Sequence, residues 1–319
     1  LRRARPDLEV VMITYPGIGN VLERQRHYVD EFLEFPGWPG IPDRPVDHDR
    51  LPSFLEEVKE REFDLAIQVY GSRAAANEAT EALGARRTAG FFMPGAWQAD
   101  LATHLPYPIG EHEIDRHLQL LTFLGVPTTD RRLEFAVTDA DREQASSIRI
   151  RHRLVPGTYA VVHPGASAAS RRWPPERFAQ VAEGISRRGL RVVVTGTAEE
   201  VDATSALSRR ASCEVVDLSG ATNLGGFAAL LADAALLVGN DSGPAHLAVA
   251  LEVPSVTVFL SGDPGRWAYD DPLHPMVREP VACSPCGLLE CPIDFRCASD
   301  LAADRVLATV DALRSRAAR

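Results

Sequence analysis

Ala234-Ala235-Leu236-Leu237-Val238-Gly239-Asn240-Asp241-Ser242-Gly243-Pro244-Ala245-His246-Leu247-Ala248-Val249-Ala250-Leu251 passes from an apolar run through a polar turn into a stretch of small residues. The run Ala234 to Val238 reads as a strand buried on both faces, the usual situation of parallel strands. The stretch His246 to Leu251 reads as a helix. Ser242 suits its N-cap, and Pro244 sits near the first helical position, where the fixed φ fits and the missing N–H costs little. A helix that begins at the carboxyl end of a strand aims unpaired N–H groups and a partial positive charge into a crevice, which suits a phosphate. Asp241 adds an acceptor and His246 a donor, the makings of a nucleotide-diphosphate site.

The same alternation extends along the chain. Strands are expected at residues 9–14, 64–70, 159–163, 191–195, 214–218, 234–238 and 255–260, most of them nearly continuous apolar runs. Helical stretches fall between them at 51–62, 74–83, 111–124, 139–151, 175–188, 198–210 and 224–231, with a closing helix at 302–316. Such βα alternation predicts open, doubly wound α/β sheets. Segments 86–110 and 125–157 are rich in Pro, Gly and Arg. We therefore expect two Rossmann-like domains, 1–155 and 156–319, with a linker at His152–Thr158.

At 319 residues the chain is long for one core and natural for two. A formal net charge of −10 argues against a nucleic-acid partner. No apolar run is long enough to span a bilayer; Phe227 to Val238 is interrupted by Asp233. The expected location is the cytoplasm, with contact at the inner face of a membrane at most peripheral. Of the 5 cysteines, Cys283, Cys286, Cys291 and Cys297 follow the spacing C-x2-C-x4-C-x5-C. That spacing is compatible with a structural zinc knuckle, with a disulfide, or with a reduced surface loop. With Cys213 left over, a disulfide-stapled secreted scaffold is not expected.

Three strand-end loops in the second half can line one crevice. The first is His163-Pro164-Gly165-Ala166-Ser167-Ala168-Ala169-Ser170-Arg171-Arg172-Trp173-Pro174, where small residues allow close approach, Ser167 offers a hydroxyl and Arg171 a phosphate fork. The second, Thr195-Gly196-Thr197-Ala198-Glu199-Glu200, places acids in a first helical turn, as dipole partners or as ribose ligands. The third runs from Asp241 to His246. Trp173-Pro174 reads as packing and helix initiation. The chain lacks both G-x-G-x-x-G and G-x4-G-K-[ST], which lowers the case for a dinucleotide oxidoreductase and removes a P-loop NTPase.

His163-Pro164-Gly165-Ala166-Ser167, Arg172-Trp173-Pro174, Asp217-Leu218-Ser219-Gly220 and Gly239 to His246 together resemble glycosyltransferase family nine, the lipopolysaccharide heptosyltransferases. Cys291-Pro292 is similar to the tail of many members. Tyr28-Val29-Asp30-Glu31 and Phe63-Asp64-Leu65-Ala66 extend the resemblance less specifically, and Leu1-Arg2-Arg3-Ala4-Arg5-Pro6-Asp7 resembles the family's first helix. The resemblance implies a GT-B fold whose second domain holds an ADP-activated sugar and whose first domain serves the acceptor. It further implies inverting, metal-independent transfer of a heptose to a lipopolysaccharide-type, lipid-linked or other glycan acceptor. Ser167 and Arg171 would contact the diphosphate, Arg171 standing where the family usually has Lys. Asp241, Ser242, Gly243 and His246 would hold diphosphate and sugar, Glu199 the ribose, and Thr222 would lie near the nucleoside.

The resemblance also implies a general base in a Gly-Asp loop after the family's first strand, and this sequence begins beyond that point. The expectation is therefore a truncated first domain, a base upstream of Leu1 and no catalytic residue assigned within the chain. Asn20 follows a later strand, and an amide is no base. Two alternatives follow: a sugar-nucleotide-binding pseudoenzyme, or a sugar-nucleotide 2-epimerase of the same fold. For acceptor recognition, Phe91-Phe92-Met93-Pro94-Gly95 and Phe35-Pro36-Gly37-Trp38-Pro39-Gly40 are candidate rims, although ordinary turns explain them equally well.

Overall fold

The structure is a computed structural model that describes residues 1–42 and 44–317. The chain divides into two compact units, Leu1–Arg131 and Arg132–Arg319. In the first unit, β1 (Val11–Thr14), α1 (Gly19–Glu23), β2 (Glu31–Glu34), α2 (Leu51–Glu60), β3 (Ala66–Ile67), α3 (Ala74–Ala82), β4 (Thr88–Phe92), β5 (His104–Pro106) and α4 (Glu113–Phe123) follow in order. β1 pairs with β2, and β3, β4 and β5 form a second sheet; every pairing is parallel. Three of these strands, β2, β4 and β5, lie outside the expected set.

The strand expected at 64–70 is cut to Ala66–Ile67. Gln68 ends it: its side-chain carbonyl accepts from the Tyr70 N–H at 2.8 Å and its amide donates to the Gly71 carbonyl at 2.9 Å, which curls the backbone out of the sheet. Residues 1–7 form hydrogen-bonded turns rather than the expected helix. Phe91 and Phe92 are buried in β4, and Phe35 and Trp38 pack on the small cluster around Ile41, so these two segments are chiefly core.

The second unit begins with α5 (Asp139–His152) and continues through β6 (Tyr159–His163), α6 (Pro175–Arg187), β7 (Arg191–Val194), α7 (Val201–Arg210), β8 (Val215–Asp217) and α8 (Leu224–Ala232). It then runs through β9 (Leu236–Asn240), α9 (Gly243–Ala250), β10 (Ser255–Val258), α10 (Pro264–Trp267), β11 (Met276–Val277), α11 (Arg296–Ser299) and α12 (Ala303–Ala317). Six parallel strands lie in the order β11-β10-β9-β6-β7-β8. Both faces are covered, which explains the unbroken apolar runs. One face carries Phe178, Val181 and Ile185 of α6 with Val306, Val310 and Leu313 of α12; the other carries Ala145 and Ile148 of α5 with Leu230 and Leu231 of α8.

The parting between units falls after Arg131 rather than near 155. The cause is α5, a strongly charged helix that reads as a surface element but belongs to the second core. A Thr138–Asp141 capping box starts it, and it ends at Arg153 in the left-handed region. Gly226 on α8 lets it approach: a Cβ there would lie 1.6 Å from the Gln144 side-chain oxygen. Among the described residues, no helix is long and apolar enough to cross a membrane.

Candidate functional site

β6 and β9 are neighbours in mid-sheet, yet the chain proceeds from them to opposite sides: β7 and β8 lie beyond β6, β10 and β11 beyond β9. A reversal of strand order opens a crevice at the carboxyl ends, the usual ligand site of open α/β sheets. His163 stands opposite Gly239 there, and Asn240 opposite Val258.

A framework of satisfied polar groups fixes the crevice. Asn240 is fully buried; its amide donates to the Pro164 carbonyl at 2.8 Å, and its oxygen accepts from the Trp173 N–H at 3.1 Å. Both ends of the loop after β6 are thus tied to the end of β9. Arg172 donates to the Ala166 carbonyl at 2.7 Å and the Ser167 carbonyl at 3.3 Å, closing the loop on itself. Trp173 is buried, its indole N–H donating to the Ala298 carbonyl at 3.2 Å and its ring edge-on to Phe178, so it serves packing as expected. Ser170 and Ser261 join hydroxyls at 2.8 Å.

Against that framework stand groups with spare capacity. Asp241 is 2% exposed, and one of its carboxylate oxygens is buried without a hydrogen-bond partner. Burial pushes its pKa above the usual carboxylate range, and the Arg171 guanidinium, 3.8 Å away, opposes the shift. Arg171 and Asp241, read from two separate loops, therefore meet. The meeting depends on Gly262, where a Cβ would lie 2.0 Å from that free carboxylate oxygen.

His246, on the first turn of α9, meets the Tyr269 hydroxyl at 2.7 Å through Nδ1 and lies 5.6 Å from the Trp267 ring. Asp241, His246, Trp267 and Tyr269 surround a pocket of only about 10 Å³, room for one water. Ser242 occupies the N-cap position, but its hydroxyl donates back to the Asn240 carbonyl at 3.3 Å and makes no cap bond to the helix. Gly243 is exposed and opens on empty space, Ser167 is exposed on the first loop, and Thr222 is half-buried one residue before the α8 cap Asn223.

Of the two adjacent acids, the structure turns in the one that was not singled out. Glu199 is exposed. Glu200 folds over the loop after β6, accepts from the Thr197 N–H at 2.8 Å and comes within 3.6 Å of His163 Nε2. Gly165 makes room, since a Cβ there would meet the Glu200 carboxylate at 2.0 Å. Burial pulls the His163 pKa below the ordinary imidazole value, against the pull of Glu200. The Thr197-x-x-Glu200 spacing is a capping box and could have distinguished the two acids. Tyr269 and Gly262 left no such signal.

The four clustered cysteines are not assembled as ligands. Cys283 and Cys286 are exposed, Cys291 is half-buried, and Cys297 on α11 is drawn into the core; all are free thiols. Among the described residues, no three His, Cys, Asp or Glu side chains stand together as a metal site.

The chain resembles proteins of one kind throughout. It is 28% identical to lipopolysaccharide heptosyltransferase 3 of Escherichia coli (strain K12) over 182 residues, 54% of this chain and 51% of that protein. It is 29% identical to lipopolysaccharide heptosyltransferase 1 of Pseudomonas aeruginosa over 241 residues, 73% of this chain and 64% of that protein. The match thus spans between about half and under two thirds of these relatives' lengths. Among solved structures, a glycosyl transferase family 9 protein from Veillonella parvula superposes with a TM-score of 0.78 at 19% identity, covering 99% of this chain and 90% of that one. The E. coli ADP-heptose lps heptosyltransferase II follows at 0.70 and 16%, covering 100% and 93%. The shared fold is α/β of the GT-B class. Residues 52–294 match the family described as glycosyltransferase family 9 (heptosyltransferase), and the chain belongs to that family.

Proposed function

We propose that this chain is an inverting glycosyltransferase that takes heptose from an ADP-activated donor, without a metal ion, and passes it to a lipopolysaccharide-type acceptor. The second unit holds the donor, and the first serves the acceptor. The observation that carries the reading is the convergence of Arg171, Asp241 and His246 on the N-terminal end of α9, at the reversal point between β6 and β9. The relatives named lipopolysaccharide heptosyltransferases support the sugar and acceptor class.

The chemistry follows from charge. A departing nucleoside diphosphate accumulates negative charge, and preorganised donors are the effective means of stabilising it. Arg171 supplies a guanidinium, the first turn of α9 supplies backbone N–H groups and a partial positive charge, and His246 an imidazole. Asp241 would repel a phosphate. Its free oxygen is suited to accept from a hydroxyl of the sugar, with Arg171 between carboxylate and diphosphate.

ADP that binds only the folded chain should raise its melting temperature; at a hundredfold excess over Kd the gain is about 2.7 kcal/mol. Asp241→Ala and His246→Ala should keep the fold and weaken binding roughly ten- to hundredfold, the worth of a charge-assisted contact. Absence of stabilisation by any nucleoside diphosphate, or unchanged affinity in both variants, would refute the assignment.

A further inference from the structure

We propose that Ser170 is a positioning residue for Arg171: with the segment 286–289 it forms a clasp that fixes the guanidinium beside Asp241 before a diphosphate arrives. The inference rests on the reading of Arg171 as a diphosphate contact.

Successive residues of the cysteine-bearing segment make the clasp. The N–H groups of Cys286 and Gly287 both donate to the Ser261 carbonyl, at 3.1 and 2.9 Å. The next two residues offer carbonyls to Ser170: Leu289 accepts from its N–H at 3.0 Å, and Leu288 accepts from its hydroxyl. The Ser170 and Ser261 hydroxyls close the ring at 2.8 Å. A serine hydroxyl carries one proton. Ser170 gives its proton to Leu288, so Ser261 is the donor between the two hydroxyls, and the bonds run in one direction from Ser261 through Ser170 to Leu288. Both serines are 2% exposed, so little solvent competes for these bonds.

Each serine is the chain neighbour of a group that shapes the crevice. Ser170 is the middle of the 3-10 turn Ala169–Arg171 and directly precedes Arg171. Ser261 directly precedes Gly262, which leaves room for the free oxygen of Asp241. The Arg171 guanidinium stands 3.8 Å from Asp241, beyond hydrogen-bond length, so its place is set by the backbone that carries it. Asn240 ties the two ends of the loop after β6, at Pro164 and Trp173; the clasp ties its middle. A long side chain that is ordered only on binding takes away affinity, and one held beforehand does not. The segment 286–289 thus supports the crevice from a point 118 residues beyond Ser170.

The test measures ADP affinity by calorimetry for the whole chain and for Ser170→Ala, Arg171→Ala and the double variant. Ser170→Ala should weaken ADP binding about two- to tenfold, the effect of ordering one long side chain on binding. In an Arg171→Ala background the same substitution should change nothing further. An equal loss in both backgrounds, the mark of a merely structural role, overturns the proposal. Full affinity in Ser170→Ala overturns it too and leaves the diphosphate reading intact. Gly287→Ala reaches the clasp from outside if Ser170→Ala does not fold. Gly287 is exposed, nothing lies within 4 Å of an added Cβ, and its φ of +64° suits glycine, so the substitution strains the clasp without filling any space. It should show the same loss, again only where Arg171 is present, and the lack of that loss overturns the proposal. Arg171→Ala that binds ADP as tightly as the wild type, or a wild type that does not bind ADP, overturns the diphosphate reading itself and the proposal with it.

Discussion

Adding one methyl group at Gly262 should disable the crevice through Asp241. A Cβ at this position would lie 2.0 Å from the free carboxylate oxygen of Asp241, 3.1 Å from its Cγ and 3.7 Å from a Phe259 ring carbon. The first two distances are below ordinary contact, so the carboxylate must turn. Asp241 is 2% exposed, and its neighbour Asn240 is held by bonds to Pro164 and Trp173, which leaves little freedom to absorb the turn. Overpacking of this kind costs about 1–3 kcal/mol. If the second unit melts as one body, that is a fall in Tm of about 2–12 °C. Turning the carboxylate also separates it from Arg171, so ADP should bind more weakly. The decisive assay is a double-mutant cycle read by thermal unfolding with and without ADP. In an Asp241→Ala background the methyl group keeps only its ordinary contact with the Phe259 ring, and the stability cost of Gly262→Ala should vanish, giving a coupling of about 1–3 kcal/mol. Additive losses would refute the reasoning, because the strain would then not pass through Asp241.

Three further outcomes are expected. Asp241→Asn should stabilise the ligand-free chain at neutral pH: a carboxyl whose folded pKa is raised contributes fully at low pH and loses its contribution as pH rises from the unfolded toward the folded value, so a chemical-denaturation series from pH 3 upward should show that loss in the wild type and not in the variant. Gly243→Ala should leave stability equal or up to about 1 kcal/mol higher, since nothing occupies the space, yet weaken ADP binding by intruding on it; equal affinity by calorimetry would show that no ligand approaches the start of α9. Glu200→Gln should lower stability by about 1 kcal/mol and disturb the loop after β6, whereas Glu199→Gln should be silent in melting, and the reverse order would refute the assignment of the inward acid.

The second unit was largely legible because its strands are buried on both faces. Tyr159–His163 and the start of Ser255–Val258 fall where their apolar runs place them, and two of the three strand-end loops bring Arg171 to Asp241, beside His246. The first unit hid its strands behind residues that usually mark loops. β4 contains Gly90, which is there because a Cβ would lie 2.9 Å from the Gln68 side chain, and β5 ends in Pro106. β2, Glu31-Phe32-Leu33-Glu34, has a charged residue at either end and no buried position. The domain boundary was misplaced because the partner of α5 is α8, far along the chain, and the signature of that packing is a glycine in a helix with no local reason for being there. Tyr269 stands 23 residues after His246, and no spacing rule links them.

The crevice separates two kinds of polar residue that look alike in the sequence. Asn240, Arg172 and Ser170 have partners for their principal side-chain groups and hold the loops in place. Asp241 keeps an oxygen in reserve, Arg171 touches it only at 3.8 Å, and Gly243 and Ser167 face outward. In each adjacent pair, Asn240–Asp241 and Arg171–Arg172, one member builds and the other waits. The division is physically necessary. A group that binds a ligand must retain unspent hydrogen-bonding capacity, and an unsatisfied buried polar atom costs about 1–3 kcal/mol in the empty state. Only a surrounding frame with its own bonds complete can hold such an atom in position, which is why glycines at 165 and 262 accompany it: each gives a carboxylate a fixed seat that any larger residue would take away.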